Sequence, residues 1–385
     1  MHGTHAVDWR ATLEEWIDCV VLLRRSVIGV GSVHDGMKLK QPEFAAATRR
    51  ARHSNLALQG GGAHGAFTWG VLDRLLEEPS FAIDGISATS AGAVNAAVLA
   101  HGLTLGGREG AKKALSDFWR RMAESATTSF LQPSWHDRLT RNHSLEHSPG
   151  YFFFDLLSRV LSPYQFNPFN INPLRSVLEE IVDFDRLRRE CAIKVFCCAT
   201  NVRSGKARIF TNNEISVACV LASACLPNLY HAVEIDGEHY WDGGYIGNPA
   251  LFPLIYGCEA RDIIIVHVNP TARHDVPITA PDILSRINEI SFNSSLMREM
   301  RAIAFVTKLI DDKSVADGTL KRMLIHAIDA DDVMRGLRVN SKLNTDWTFL
   351  TYLHKIGRER ADLWLGSHFD MLGIESTVDV RAKYL

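Results

Sequence analysis

The chain has 385 residues, of which 46% are hydrophobic and 22% are charged, a composition typical of a globular protein with a large core. Its 42 Lys and Arg residues nearly balance its 44 Asp and Glu residues, so the net charge is only -2. Because surfaces that bind nucleic acid carry a clear excess of positive charge, this balance argues against nucleic acid as a partner.

The residues predict neither a metal nor an organic cofactor. The seven cysteines include no C-x-x-C pair, and such isolated thiols are typical of a reducing compartment. The nearest approach to a metal-ligand spacing is His143 and His147, with His136 before them. Pro149, Gly150 and the polar composition around these histidines favour a solvated loop instead.

Residues 1–54 are predicted to form a helical arm. Within them, 13–25 carries apolar residues at helical spacing, with acids first and bases second, the reverse of a secretory signal. No run of 18 consecutive apolar residues occurs, as a membrane-spanning helix would need. We therefore expect a cytoplasmic protein whose arm docks on the main domain. Peripheral membrane binding is the alternative for the arm, and export by a signal-independent route stays open.

From residue 55 on, short apolar runs alternate with helical patterns. This βαβ alternation predicts a largely parallel sheet covered by helices on both faces. The chain from about residue 281 is predicted to be mostly helical. The predicted strands are 55–59, 85–89, 192–200, 207–211 and 263–268, and the predicted helices are 66–77, 91–101 and 217–225, with further helical stretches around 108–126 and 172–183.

A glycine-rich loop, GGGAHG at 60–65, follows the first predicted strand. Exposed N–H groups at a helix start favour anions, and the loop satisfies the dinucleotide pattern G-x-G-x-x-G. That interpretation needs an acid at the end of the next strand, whereas Asp84 precedes that strand and Ser90 follows it. A Walker loop is also disfavoured, because no Gly-Lys-Ser/Thr follows. The pattern therefore points away from nucleotide binding.

Ser90 follows the second predicted strand and has only small neighbours, among them Ala88, Ala91 and Gly92. This is the pattern of a nucleophile elbow, a tight turn that exposes a serine hydroxyl at the carboxyl edge of a sheet. A helix-capping serine is the alternative, but a cap does not need small residues on both sides. A nucleophilic serine creates an oxyanion when it attacks an ester, and fixed N–H donors must stabilise that charge. The glycine loop emerges at the same edge and offers such donors.

The best candidate for the proton acceptor is Asp242, at the end of a predicted strand and followed by Gly243 and Gly244. An Asp-Gly pair in isolation would instead indicate a hairpin turn. His267 follows Asp242 in the order of a Ser-Asp-His triad, although a buried structural histidine is the commoner situation.

In this order, GGGAHG, ATSAG and DGG closely resemble the motifs of the patatin-like phospholipases, in particular their bacterial branch. The resemblance implies a three-layer α/β/α sandwich with a mostly parallel sheet, formed by a catalytic domain at 55–270 and a helical region at 271–385 packed on the core. Its implied substrates are acyl esters of phospholipids or related glycerolipids, met at a membrane surface or micelle. Supporting stretches lie at 162–174, 222–227, 241–251 and 341–350.

The resemblance also implies roles for individual residues. Ser90 would be the nucleophile and Asp242 the general base of a catalytic dyad. The oxyanion hole would consist of Gly60, Gly61 and Gly62. The supporting motif positions are Ala63, His64, Gly65, Ala88, Gly92, Gly243 and Gly244.

Two residues depart from the family pattern. Ala88 stands where the first glycine of G-x-S-x-G is usual, and we expect the elbow to survive its methyl group. His64 stands where a basic residue is common after the glycines. We expect His64 to carry a charge only below its ordinary pKa of about 6.5, which would weaken lipid turnover above neutral pH.

The segment 127–175 contains apolar side chains among prolines and asparagines. It is either satellite core packing or an apolar cover over an acyl groove. The leading interpretation of the whole chain is a lipolytic serine acyl-hydrolase. A soluble short-chain esterase and a lipid-binding scaffold with vestigial catalytic residues are the alternatives. No feature of the sequence indicates an oligomeric state.

Overall fold

A mixed sheet of eight strands lies at the centre of the described part of the chain. The computed structural model describes residues 51–126, 145, 148, 150, 153, 157, 160–273 and 275–385. Nearly all of the predicted arm and most of 127–175 therefore lie outside the described residues. The strands are β1 Arg52–Leu58, β2 Phe81–Thr89, β3 Lys194–Asn201, β4 Ala207–Phe210, β5 Val233–Ile235, β6 Glu238–Asp242, β7 Asp262–Val266 and β8 Leu324–Ile328.

The strand order is β5-β6-β3-β2-β1-β7-β8, and β4 also pairs with β3. Strands β3, β2, β1, β7 and β8 run parallel to their neighbours in this series. Strands β4, β5 and β6 form antiparallel pairs at one side of the sheet. The prediction of a mostly parallel sheet is confirmed. Asp242 belongs to its antiparallel part.

The helices lie between and after the strands. They are α1 Gly65–Leu75, α2 Ala91–Ala126, α3 Pro163–Phe166, α4 Pro173–Ile181, α5 Phe184–Glu190, α6 Val217–Ser223, α7 Phe252–Gly257, α8 Ala280–Asp311, α9 Asp331–Met334, α10 Trp347–His368 and α11 Val380–Tyr384. Short 3-10 helices occur at Gly62–His64, Gly243–Tyr245, Val339–Leu343 and Phe369–Met371.

Both faces of the sheet are covered. Along β1, Leu56 and Leu58 belong to one buried apolar cluster and Ala57 to the other, as strand alternation requires. In β7, Ile264 likewise faces the first cluster and Ile265 the second. Burying one such large side chain stabilises the fold by roughly 1.5–3 kcal/mol. The continuous apolar strands thus produce the predicted three-layer α/β/α sandwich.

The C-terminal helix α10 packs directly against α1, the helix that follows the glycine loop. A Cβ atom on Gly70 of α1 would lie under 3.0 Å from the carbonyl oxygen of His354, and one on Gly357 of α10 would lie equally close to Phe67. The two backbones therefore touch where both helices have glycine. Between them, the rings of Trp69 and His354 lie 3.9 Å apart, centre to centre. Helix α10 thus holds α1, the helix that follows the glycine loop, in position.

Several elements differ from the sequence prediction, among them β8 and α2. Strand β8 lies within the stretch predicted to be mostly helical and pairs in parallel with β7. A buried run of five residues carries too little periodicity to distinguish a strand from a helix. Helix α2 joins the predicted helices 91–101 and 108–126, with non-helical backbone at Gly106 and Gly107. Among the described helices, none is long and apolar enough to cross a bilayer.

Candidate active site

Ser90 occupies a sharp turn between β2 and α2. Its φ is +56°, in the left-handed region that costs a non-glycine residue roughly 1–3 kcal/mol. The turn is held in place because the Ser90 N–H donates to Oγ of Ser223 at 2.9 Å. The Ser223 hydroxyl in turn donates to the carbonyl of Cys198 at 2.6 Å. Side chains of α6 and the backbone of β3 thus maintain the strained conformation.

Close backbone contacts explain the small residues around the turn. A Cβ atom on Gly92 would lie under 3.0 Å from the carbonyl oxygen of Leu58, and one on Gly65 would lie 2.8 Å from Cβ of Ala91. The fully buried Ala88 is accommodated in β2. The elbow thus forms with alanine at this position, as expected.

Asp242 lies at the end of β6, with its side chain fully buried. Its Oδ1 accepts a hydrogen bond from the Gly244 N–H at 2.7 Å. Burial raises the pKa of Asp242 to about 6, against the lowering effects of the Gly244 N–H, the Ser90 hydroxyl and the charge of Lys342. A carboxyl group with a pKa near neutrality is suited to proton transfer at physiological pH.

The sheet register brings Ser90 and Asp242 together. Thr89 is paired with Cys198 across β2 and β3, and Ala199, the next residue of β3, is paired with Asp242. The Ser90 hydroxyl lies close enough to Asp242 to lower the pKa of its carboxyl. Oδ2 of Asp242 nevertheless accepts no hydrogen bond of ordinary length and angle from the described residues.

The DGG motif needs both glycines because the backbone after Asp242 is crowded. A Cβ atom on Gly243 would lie under 3.0 Å from the carbonyl oxygen of Cys198. One on Gly244 would meet the ring of Phe292 and come within 3.0 Å of Oδ1 of Asp242. Neither position has space for a side chain.

The glycine loop lies against the elbow, since a Cβ atom on Gly60 would lie under 3.0 Å from Cβ of Ser90. The Gly60 N–H donates to Oδ1 of Asn248 at 2.7 Å. The Gly60 amide therefore already has a partner, and the assignment of Gly60 to an oxyanion hole stays a prediction. Gly61 and Gly62 begin a 3-10 helix, where N–H groups lack intrahelical partners. Neither amide donates to another described residue.

Ala63 and His64 are both buried within this 3-10 helix. Nε2 of His64 lies 2.7 Å from Oγ of Ser341. Because the Ser341 hydroxyl donates to the carbonyl of Arg338, we assign the proton of the first bond to His64 Nε2. Burial, followed by the charge of Lys342, lowers the pKa of His64 to about 3. The expectation that His64 becomes charged below about pH 6.5 is wrong, because this ring is enclosed in protein.

The triad alternative gains no support from the histidines. His267 is buried, and its Nε2 lies 2.6 Å from the hydroxyl of Tyr384. Burial lowers the pKa of His267 to about 3. His231 Nε2 bonds to the carbonyl of Pro163. No hydrogen bond among the described residues joins either histidine to Asp242.

Sequence reasoning missed a buried polar network behind the glycine loop. Nε2 of Gln59 donates to the carbonyl of Asn248 and to Oδ1 of Asn293, while its Oε1 accepts from the N–H groups of Val268 and Asn269. Asn248 lies within a stretch that supports the family resemblance, yet its chemistry gave no sign of a role. The network joins the residues that follow β1 and β7 to Asn293 in helix α8.

Part of the predicted apolar cover can be described. Phe153, Phe169 and Ile171 are exposed, Phe169 to 85%. The ring of Tyr164 stacks on His231 with centres 4.1 Å apart. Residues 163–171 therefore pack on the loop before β5 and present apolar side chains to solvent. Within the described residues, no group of three His, Cys, Asp or Glu side chains is arranged to hold a metal ion.

Comparison with known proteins identifies the family. The family model described as patatin-like phospholipase matches residues 56–255, slightly more than half of the chain. This range includes the glycine loop, the elbow and the DGG motif. No curated protein sequence matches the chain significantly.

Two solved structures have a related arrangement at low similarity. VipD from Legionella pneumophila is 16% identical, with 82% of this chain and 67% of that chain covered and a TM-score of 0.40. Full-length ExoU of the type III secretion system of Pseudomonas aeruginosa, solved in complex with SpcU, is 13% identical. The match covers 86% of this chain and 61% of the ExoU chain, with a TM-score of 0.27. The assignment therefore depends on the sequence match: this chain belongs to the patatin-like phospholipase family.

Proposed function

We propose that this protein is a serine acyl-hydrolase that cleaves fatty-acyl esters of phospholipids or related glycerolipids. The observation that carries the proposal is the buried Asp242 carboxyl beside the strained Ser90 turn. In the adjoining glycine loop, the N–H groups of Gly61 and Gly62 lie at the start of a 3-10 helix. Nucleophile, base and oxyanion donors are the three parts that ester cleavage needs.

In the first half of the reaction, Asp242 accepts the proton of the Ser90 hydroxyl as Oγ attacks the acyl carbonyl carbon. The resulting oxyanion is stabilised by the N–H groups of Gly61 and Gly62. The tetrahedral intermediate expels the alcohol, a lysolipid for a phospholipid substrate, which takes the proton from Asp242. An acyl-enzyme ester on Ser90 remains.

In the second half, Asp242 accepts a proton from water as the hydroxide attacks the acyl-enzyme. The same donors stabilise the second oxyanion, and the fatty acid leaves as Ser90 regains its proton. A base with a suitable pKa contributes roughly 10²–10⁴-fold to such a rate, and one oxyanion donor contributes roughly 10²–10³-fold.

A lipid is favoured over a short-chain ester by the exposed apolar side chains of Phe153, Phe169 and Ile171, which suit contact with a membrane surface or micelle. Family membership points the same way. His64, being buried and neutral, has no charge to offer a lipid phosphate. The six described cysteines are unpaired, which supports our proposal of a cytoplasmic location.

The test is product analysis after incubation with mixed phospholipids, with wild type and Ser90→Ala compared. We expect free fatty acid and lysolipid from the wild type alone, and labelling of Ser90 by a fluorophosphonate probe. Activity confined to short-chain esters would identify the esterase alternative. Absence of both labelling and turnover would leave only a lipid-binding scaffold and would refute the proposal.

A further inference from the structure

Lys342 places a charged group behind the glycine loop. It lies in the 3-10 helix Val339–Leu343, and its Nζ donates to Oδ1 of Asn269 and to Oδ1 of Asn288, both at 2.8 Å. The same ammonium lies 5.4 Å from the centre of the Phe292 ring, within the range of a cation–π contact. Three partners therefore fix the position of the charge.

Asn269 connects this charge to the loop. Its Nδ2 donates to the carbonyl oxygen of Gly60 at 2.7 Å. The Gly60 carbonyl and the Gly61 N–H belong to one planar peptide, in which they point in opposite directions. A bond that holds the carbonyl therefore also fixes the direction of the Gly61 N–H, one of the two proposed oxyanion donors.

The backbone of Lys342 packs against Gly62, the residue whose N–H is the second proposed oxyanion donor. Gly62 has a φ of +58°, and a Cβ atom there would lie under 3.0 Å from the carbonyl oxygen of Lys342. The main chain of Lys342 thus packs directly against Gly62, and its side chain is linked to Gly60 through Asn269.

Two carboxylates act on the ammonium, that of Glu289 in α8 and that of Asp242 at the end of β6. Burial lowers the pKa of Lys342 to about 8, while Glu289 and Asp242 oppose that change. Lys342 is therefore charged at neutral pH. Among the described residues, the other charged or titratable neighbours are His64 and Arg338, which line one cavity together with Lys342. Arg273 and Arg286 pair with Glu289.

We propose that Lys342 is a positioning residue of the active site, which orients the Gly61 N–H through Asn269. This inference rests on the proposed acyl-hydrolase function. It assigns to the C-terminal region, outside the matched range 56–255, a part in the reaction.

The first test compares kcat and KM of Lys342→Met, Asn269→Ala and the double variant. We expect each single change to lower kcat by roughly 10²-fold, the effect of one lost oxyanion donor, with little change in KM. The double variant should lose little more than either single variant, because both act through one connection. Lys321→Met is the matched control, since among the described residues the Lys321 side chain donates to the carbonyl of Cys258, away from the glycine loop, and should keep kcat.

The second test is the pH profile of kcat/KM. Lys342→Met should move the acid limb to higher pH, because the charge that lowers the pKa of Asp242 is gone. In the wild type, loss of the Lys342 proton should produce an alkaline decline near pH 8. Lys342→Arg should move that decline upward, since a guanidinium stays protonated. A purely structural lysine would affect neither limb.

The outcomes separate the two proposals. A wild type that cleaves phospholipid, combined with variants that keep kcat and both limbs, would overturn the role of Lys342 and leave the function intact. A wild type that shows no turnover and no fluorophosphonate labelling would refute the function itself, and with it this role. If Lys342→Met does not fold, Asn269→Ala and Lys342→Arg decide the question.

Discussion

The Ser90 amide donates to the Ser223 hydroxyl at 2.9 Å, and this bond ties the strained turn to helix α6. Ser223→Ala would leave the buried Ser90 N–H without this partner and would remove the hydroxyl that donates to the Cys198 carbonyl. An unsatisfied buried polar group costs about 1–3 kcal/mol. We expect a lower free energy of unfolding by denaturant and a lower kcat, because the turn that presents the hydroxyl relaxes.

The matched control for this change is Ser216→Ala. Ser216 caps the same helix by accepting from the Cys219 N–H, so its loss should cost about 1 kcal/mol and leave kcat near the wild-type value. Equal kcat losses in the two variants would show that Ser223 acts only on the stability of α6.

Asp242→Asn should lower kcat by roughly 10²–10⁴-fold, the contribution of a general base. Asparagine has nearly the same shape and keeps the bond to the Gly244 N–H, so the fold should persist. His267→Ala should retain most of the activity, since His267 contacts Tyr384 and not Asp242. Steady-state kinetics on a phospholipid checks both. Comparable losses from the two substitutions would favour the triad over the dyad.

The same Asp242→Asn substitution should stabilise the protein at neutral pH. The pKa of Asp242 is about 6 in the folded protein, against an ordinary value of 3.8. The carboxyl therefore favours folding fully only below about pH 4, and this contribution is lost as pH rises through about 6. Because the pKa of Asp242 rises from 3.8 to about 6 on folding, the asparagine variant should be about 3 kcal/mol more stable at pH 7. Urea denaturation at pH 4 and pH 7 measures the difference, and equal gains at both pH values would contradict the assignment.

The acid limb of kcat/KM should fall near pH 6, because the base must be ionised to accept the Ser90 proton. His64→Gln should leave that limb in place, since His64 is neutral throughout the range and a glutamine amide can still donate to Ser341. A titration of initial rates between pH 4 and pH 8 compares the two proteins. A limb that moves in His64→Gln would show that the ring does carry a charge in the working enzyme.

Gly60→Ala should nearly abolish turnover. The new methyl group would overlap Cβ of Ser90, and a displacement of about 1 Å in an active site can cost roughly 10²-fold in rate. Gly366→Ala in helix α10 is the control, because a Cβ atom there meets nothing within 4 Å. Alanine should even stabilise that helix by about 1 kcal/mol. Fluorophosphonate labelling rates measure the effect on Ser90 directly.

The sequence by itself determined the local features of this protein. The layered α/β class follows from apolar runs that alternate with helical patterns, as in 55–59 and 66–77. The turn at Ser90 follows from its small neighbours, because only they permit so close a backbone approach. Steric requirements of this kind act over a few residues and are therefore written in adjacent positions of the chain.

Tertiary structure alone decided which groups are buried and which polar atoms already have partners. The amide of Gly60 is engaged by Asn248, which lies 188 positions later in the chain. His64 loses its charge because Ser341 and the surrounding protein enclose it. Lys342 contacts the loop from a region that the sequence predicted to be helical and to which it assigned no functional residue. Desolvation and hydrogen bonding depend on distant residues brought into contact by folding. A local sequence pattern therefore could not predict which groups are buried or already hydrogen-bonded.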